Sequence, residues 1–350
     1  MGFLREDINF STPFTVSQRP YVAKLDQNES PYDIPEEIKK VLLEEIKRIP
    51  WNRYPQPAMY EEVKENFAKT LGVKPENIAL TFGGDQTILS AFWIAGGKGK
   101  RCIIYEPTYP MIRHYAIATS TEADIKVLGE EFFPHPSDFK GKDYSIIFLV
   151  SPNNPTGHLI SKEVIKEALE TGALVFVDEA YYPFSGITVW DDLKDYPNLM
   201  VGRSLSKSLL AGMRMGYVLG SKEVVRAVDY MNFAPYNLTV FQLAIFKRFG
   251  DIMGFLKNAT DEVVKERERV YKVLEELGFK PLKSYGNFIM FKVRDHEKAY
   301  KVFVEEGVRI RDVSGLPGLS NHLRVTIGLK DENDKFIEVL KKLVPHLLPE

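Results

Sequence analysis

The chain has 350 residues, 44% of them hydrophobic, with 46 Lys and Arg against 48 Asp and Glu and a formal net charge of −2. That length can bury a large core and accommodates two domains. The charge balance lacks the basic excess that favours nucleic acid or an anionic membrane, so no partner of either kind is expected and small molecules, anionic ones included if held locally, are the partners to seek.

The opening "MGFLREDINF" has no apolar h-region, and no later window is long and apolar enough to span a bilayer; a soluble, cytoplasmic chain is expected. From residue 34, "IPEEIKKVLLEEIKRI" sets Pro35 at a helix start and repeats Ile34, Ile38, Val41, Leu42, Ile46 and Ile49 at helical spacing. Apolar runs of strand length follow: "NIAL", "RCIIYEP", "DIKVL", "YSIIFLV", "ALVFVDE", "NLMVGRS" and "MGYVLGS". Cys102, the single cysteine, sits in the second of these and reads as a buried free thiol. Helical patterns such as "PTYPMIRHYAIA" and "SKEVIKEALE" alternate with the runs, which predicts an α/β domain on a mostly parallel sheet with helices on both faces. After about residue 250 the texture changes. The charged helical pattern "DEVVKERERVYKVLEEL" ends at Gly278, and three short strand candidates, "NFIMFKV", "VRIRDV" and "HLRVTIG", precede the helical "DKFIEVLKKLV". These predict a smaller α+β domain to which the N-terminal helix returns: residues 1–50 as an arm and helix joined to the small domain, 51–249 as the large domain, and 250–350 as the small one.

Several segments carry chemistry. "TFGGDQTIL" runs a strand into Gly83 and Gly84 and then into a helix with Asp85 in its first turn, an arrangement that either closes backbone N–H groups on a phosphate or is a plain strand-to-helix turn. "GGKGKR" at 96–101 lacks the spacing of a nucleotide loop and reads as a turn. "VSPNNPTG" packs two asparagines between prolines at a strand's carboxyl end, where open α/β sheets bind ligands. "VFVDEAYY" ends a buried strand on Asp178, which is costly unless paired with a cation or strong donor, with Tyr181 just beyond. In "SLSKSLLAGMRMGY", Ser204, Ser206, Gly212 and Arg214 surround Lys207 with the groups a phosphate needs, although Ser/Lys/Gly clusters also occur in ordinary loops. Arg311 and Arg324, flanked by apolar strand residues, hint at a bound anion or are surface arginines. The six histidines show no ligand spacing and "DEND" lacks the glycine of a calcium loop, so no metal site is expected.

Taken together, "SLSK…GMRMGY", "SPNNPTG", "DEAY" and "LRVTIG" resemble, in order and spacing over nearly the whole chain, the pyridoxal-phosphate-dependent aminotransferases of the aspartate aminotransferase type, the fold type I group. Within that group, "NESPY", "NRYPQP" and "EPTYPM" look most like the histidinol-phosphate aminotransferases. The resemblance implies a three-layer sheet domain that binds pyridoxal 5′-phosphate. It implies that Lys207 holds the cofactor covalently and then acts as acid and base, and that Asp178 faces the pyridine nitrogen. Asn154 and Tyr181 would bond the phenolic oxygen, and Tyr109 would stack on the ring. The backbone amides of Gly84 and Asp85, with Ser204, Ser206 and Arg214, would hold the phosphate, joined by Tyr54 from the other subunit of a homodimer. On the substrate side it implies Tyr21, Asn154, Arg311 and Arg324, with histidinol phosphate and glutamate or 2-oxoglutarate as substrates.

The sequence departs from the family pattern at three places. The segment from Lys207 to Arg214 is one residue shorter than in aspartate aminotransferase, "RPYVAKLDQNES" lacks a proline-glycine pair, and "GGDQ" has no acid after Asp85. An aromatic or other amino-acid aminotransferase, a decarboxylase of a phosphorylated amino acid, and a cofactor-binding regulator remain alternative readings, the last without a visible DNA-reading module.

Overall fold

A computed structural model describes residues 20–349, so the first nineteen residues of the expected N-terminal arm lie outside the described residues. In chain order, β1 (Ala23–Lys24), α1 (Glu36–Lys47) and α2 (Pro57–Leu71) come first. Pro35 stands just ahead of α1 as expected, and Pro57 opens α2, whose end is closed by Gly72 at φ +70°. Then follow β2 (Ile78–Thr81), α3 (Gly83–Ala95), β3 (Arg101–Glu106), α4 (Met111–Ala118), β4 (Glu122–Val127), β5 (Ile146–Val150), α5 (Lys162–Leu169) and β6 (Leu174–Asp178). Two single turns, α6 (Tyr182–Ser185) and α7 (Trp190–Leu193), lead to β7 (Leu199–Ser204), β8 (Gly216–Gly220), α8 (Lys222–Met231) and α9 (Val240–Lys247).

All seven strands predicted from apolar runs form one sheet, in the order β2-β8-β7-β6-β5-β3-β4. Its ladders are parallel except where β8 runs against both β2 and β7. Alternate side chains of one strand feed opposite cores: Ile147 and Leu149 of β5 join one, Ile146 and Phe148 the other. The sheet is thus the middle of three layers; all its strands but the edge strand β4, whose residues are half-buried or exposed, are buried on both faces, which is why those strands read as continuous apolar runs. Cys102 is buried in β3, and burial pushes its thiol up to about 12, which removes it from thiolate chemistry.

The remainder of the chain supplies α10 (Gly250–Glu276), β9 (Phe288–Lys292), α11 (His296–Glu305), β10 (Val308–Arg309), β11 (Arg311–Asp312), β12 (His322–Thr326) and α12 (Lys330–Leu347). β11, β12 and β9 form an antiparallel sheet with its own core of Phe279, Phe288, Phe291, Phe303 and Phe336. The run "VRIRDV" is two strands, because β10 turns aside at Ile310 to pair in parallel with β1 while β11 pairs with β12. α1 does not return to this smaller core as expected. Ile34 and Leu42 pack into the core of the large sheet, against α9, and it is β1 that joins the small part. A two-residue strand has no apolar periodicity to read, whereas the stripe on α1 announces burial without naming its partner. Among the described residues no helix is long and apolar enough to cross a membrane, and no three or more His, Cys, Asp or Glu side chains are grouped to hold a metal ion.

Candidate active site

The carboxyl ends of β5, β6 and β7 and the amino end of α3 open onto a cavity of about 400 Å³, walled on the far side by Asp26 to Asn28, Arg311 and Arg324. Ligands collect at this end of a parallel sheet, and the volume suits a small-molecule site.

β7 delivers Ser204 to the cavity, and the chain then winds into a π-helical turn, Ser206–Leu210, followed at once by a tight turn at Ala211–Met213. This irregular winding sets Lys207 on the cavity wall, with its Nζ donating to the carbonyl of Gln27 at 3.2 Å. Burial, with Arg324 and Arg214 adding, pulls the amine down to about 8 against the opposing pull of Glu29 and Asp85. A lysine in that range is part neutral at physiological pH and can act as nucleophile and base.

β6 ends on Asp178, 8% exposed, whose Oδ1 accepts the Ala180 N–H at 2.9 Å. Burial, with Asp85 and Glu179 adding, raises its carboxyl to about 6, while the Ala180 donor and Lys207 hold it back. The adjacent acid is treated otherwise. Glu179 Oε2 accepts from Arg203 Nε and Nη2 at 3.0 and 2.9 Å, so this neighbour is neutralised inside the protein, and of the two adjacent acids it is Asp178 that faces the cavity.

Tyr181 and Asn154 stand beside it. The Asn28 side chain donates to the Tyr181 hydroxyl at 2.9 Å, and burial raises that phenol to about 12. Asn154 Oδ1 accepts from Arg324 Nη1. Arg324 is 7% exposed, donates from Nη2 to the Asp26 carbonyl at 2.8 Å, and leaves its buried Nε without a hydrogen-bond partner. Burial, with Arg311 adding, pulls it down to about 10, still cationic at neutral pH. Arg311 lies directly across the ladder from Arg324, so β11 and β12 present two guanidinium groups side by side.

At the opposite end the start of α3 forms a cradle. A side chain at Gly84 would place its Cβ 3.0 Å from Ser204 Cβ, and one at Gly216 would stand 2.7 Å from the backbone carbon of Gly83, so α3 and β7–β8 approach as glycine alone permits. Arg214 takes the left-handed conformation at φ +50°, its carbonyl accepting from Gln242 Nε2 at 2.7 Å. That posture aims the guanidinium inward, where Nη1 donates to Ser206 Oγ at 3.4 Å and Nη2 to Asp85 Oδ2 at 2.8 Å. The Tyr109 hydroxyl donates to Asp85 Oδ1 at 3.0 Å, and burial beside Asp85 holds its phenol up. Free N–H groups at a helix start, two serine hydroxyls and an arginine are a donor set for a phosphate dianion.

The structure thus gathers Gly84, Asp85, Tyr109, Asn154, Asp178, Tyr181, Ser204, Ser206, Lys207, Arg214, Arg311 and Arg324 around one cavity. It does not bring in Tyr54 or Tyr21. Tyr54 is 78% exposed and meets Tyr236 edge-on, and Tyr21 lies under the Arg309 guanidinium at 4.3 Å. Asp26, Gln27 and Asn28 were not singled out by sequence. Gln27 contributes a backbone carbonyl, which carries no side-chain signature; Asn28, at φ +54° and tied to Thr326 and Tyr181, is the first residue of "NESPY". The departure at Gln86 is explained: its Oε1 accepts from the Phe82 N–H at 2.6 Å and from Asn237, steadying the start of α3 and leaving the cavity to Asp85.

The family model of aminotransferase class I and II matches residues 20–340. The histidinol-phosphate aminotransferase of Thermococcus kodakarensis is 36% identical over 342 residues, covering 97% of this chain and 98% of the relative. Histidinol-phosphate aminotransferase 1 of Carboxydothermus hydrogenoformans is 35% identical over 93% of each. Among solved structures, the histidinol-phosphate aminotransferase of Clostridium acetobutylicum superposes with a TM-score of 0.83 at 23% identity, covering 93% of this chain and 99% of that one, and shares the fold. With the family model spanning every described strand and every residue of the cavity wall, the chain belongs to the class I and II aminotransferases.

Proposed function

We propose that this chain transfers an amino group between histidinol phosphate and 2-oxoglutarate, a step of histidine biosynthesis. The observation that carries the reading is the cross-strand pair Arg311 and Arg324 at the end of the cavity that also holds Lys207, since one anion site must accept a phosphate ester in one half-reaction and a carboxylate in the other. The close relatives named for this activity agree with it.

The enzyme is a pyridoxal-phosphate-dependent transaminase, and its residues fit that cofactor. The glycine-lined cradle and its donors suit the phosphate, and a buried carboxyl raised to about 6 is the partner a protonated ring nitrogen would satisfy. In this reading Gly84, Asp85, Ser204, Ser206 and Arg214 hold the phosphate, Asp178 the ring nitrogen, Asn154 and Tyr181 the phenolic oxygen, and Tyr109 the ring face. When bound, the cofactor supplies the electron sink that lets a bond to the substrate Cα break. Arg324 and Arg311 fix the substrate's anionic group and so aim Cα at Lys207. The Lys207 amine then removes the Cα proton, which its depressed pKa suits it to do near neutrality. The same depression governs loading. A lysine attacks an aldehyde only when neutral, so the rate of cofactor uptake by cofactor-free protein is expected to rise with pH through about 8, where an ordinary lysine would titrate at 10.5. Stopped-flow absorbance across pH 6 to 10 measures this midpoint.

The proposed active unit is a homodimer. Tyr54, Tyr230, Phe233 and Tyr236 expose a band of aromatic surface of the kind that marks an interface, and in the dimer Tyr54 would reach the partner's phosphate. Mixing inactive Y54A and K207A subunits is expected to restore about a quarter of wild-type activity, because half of randomly paired dimers are hybrids with one intact site of two. A Tyr54 that served its own subunit would give no recovery above the mean of the parents.

A substrate panel tests the activity itself. Histidinol phosphate is expected to convert the yellow cofactor to its amine form, with 2-oxoglutarate restoring it. Silence with histidinol phosphate beside rapid conversion by phenylalanine or tyrosine would replace the substrate, and a cofactor that returns as aldehyde with release of CO2 would replace the reaction by decarboxylation.

A further inference from the structure

Behind the cavity wall runs a chain of side-chain hydrogen bonds that ends at His158. The Thr108 hydroxyl bonds Asn153 Oδ1 at 2.9 Å, and Asn153 Nδ2 reaches both the Pro107 carbonyl at 3.0 Å and Thr156 Oγ1 at 2.9 Å. Thr156 Oγ1 stands 2.6 Å from His158 Nδ1. Thr108, Asn153 and Thr156 are all buried, so each polar atom must be matched within the chain.

One fixed acceptor sets the orientation of the Asn153 amide, and burial of Thr156 sets the last bond. The Pro107 carbonyl accepts only, so the atom facing it must be the amide nitrogen of Asn153, and the other atom its oxygen. The Thr108 hydroxyl then donates to that oxygen, and Thr156 Oγ receives an N–H from Asn153. Thr156 is buried and its proton needs an acceptor; Asn153 Nδ2 can only donate, and His158 Nδ1 at 2.6 Å can accept, which assigns that nitrogen as bare with the ring proton on Nε2. The ring lies stacked against Phe132 at 6.4 Å and edge-on to Phe133 at 4.9 Å, and burial pulls its pKa down to about 4, so the neutral acceptor is the resting form.

The chain joins the two loops that flank the proposed cofactor ring. Thr108 precedes Tyr109, Asn153 precedes Asn154, and Thr108, Tyr109 and Asn154 all line the cavity. We propose that His158, as a neutral hydrogen-bond acceptor, is a positioning residue that orients Thr156 and Asn153 and thereby fixes Asn154 and Tyr109 against the cofactor. The proposal rests on the cofactor-binding reading given above. His158 touches neither cavity nor substrate in this scheme; its effect reaches the cofactor through the two loops.

The test compares two replacements in the full-length protein. H158F keeps a ring between Phe132 and Phe133 but offers no acceptor, whereas H158N offers an oxygen near the position of Nδ1. Cofactor affinity is read by titration of cofactor-free protein, and the pH midpoint of the visible band by absorbance. H158F is expected to weaken cofactor binding about tenfold, the scale of one unmet buried hydrogen bond. Its band midpoint is expected to move upward by about 0.5 to 1 pH unit, because a phenolic oxygen that loses a well-placed donor is less stable as the anion. H158N is expected to stay within about twofold of wild type, and T156V to reproduce H158F, with no further loss when the two are combined. Should the H158F chain not fold, T156V carries the same expectation. Wild-type affinity and midpoint in H158F and T156V, or equal losses in H158F and H158N, overturn the proposal while leaving the function intact. A wild-type chain that takes up no cofactor overturns the function as well.

Discussion

Replacing Lys207 with alanine is expected to lower kcat by about 10⁴-fold or more, since under the proposed function the change removes both the nucleophile that would load the cofactor and the base that would act on substrate Cα. The loss should be chemical and not architectural. Lys207 sits on the cavity wall, donates to the single carbonyl of Gln27, and anchors no core cluster, so far-ultraviolet circular dichroism and melting temperature should hold. The variant should still take up the cofactor through its phosphate cradle, but without the absorbance of a covalent adduct. A small primary amine added to the solution should restore part of the activity, since the space and the neighbouring charges that depress the lysine remain in place. If K207A kept its adduct band or more than a hundredth of wild-type turnover, the assignment of this lysine would fail.

The second large effect has two signs. Asp178→Asn is expected to cost about 10² to 10³-fold in kcat, the scale of one lost electrostatic contact to developing charge, yet to stabilise the cofactor-free protein at neutral pH. The folded carboxyl titrates near 6 against 3.8 when unfolded, because burial disfavours its charge. The folded state therefore holds its proton more tightly, and this group's contribution to stability is full below about pH 4 and lost as pH rises through about 6. At pH 7 to 8 the ionised form costs about 3 kcal/mol, and an amide of the same shape avoids that cost. Thermal melts of cofactor-free D178N and wild type should differ at pH 7.5 in favour of the variant and converge below pH 4. In cofactor-loaded samples the order should reverse. A wild-type protein that is the more stable at pH 7.5 without cofactor would mean that Asp178 already has an internal cation.

Most of the large sheet was legible in the sequence because its strands, the edge strand β4 apart, are buried on both sides and announce themselves by unbroken apolar runs. The cavity wall was legible for the same reason one step removed: Asp178 is polar at the end of such a run, and Lys207 follows another. What sequence did not show falls into two kinds. Short pairings such as β1 with β10 have too few residues for a period, and with them went the true seat of α1. Contributions by backbone, such as the Gln27 carbonyl to Lys207, leave no side chain to notice. Asn28 is intermediate, since a left-handed asparagine is common in turns and only its bonds to Tyr181 and Thr326 mark it as part of the wall.

The facing guanidinium groups of Arg311 and Arg324 have a practical consequence. Like charges at opposed positions of a ladder repel, and here the repulsion is sharpened because one of the pair is buried. Under the proposed function a multivalent anion that enters would relieve it, so sulfate or inorganic phosphate in a storage buffer is expected to act as preservative and inhibitor together, and kinetics measured in such buffers are expected to understate the enzyme's grip on its own substrates.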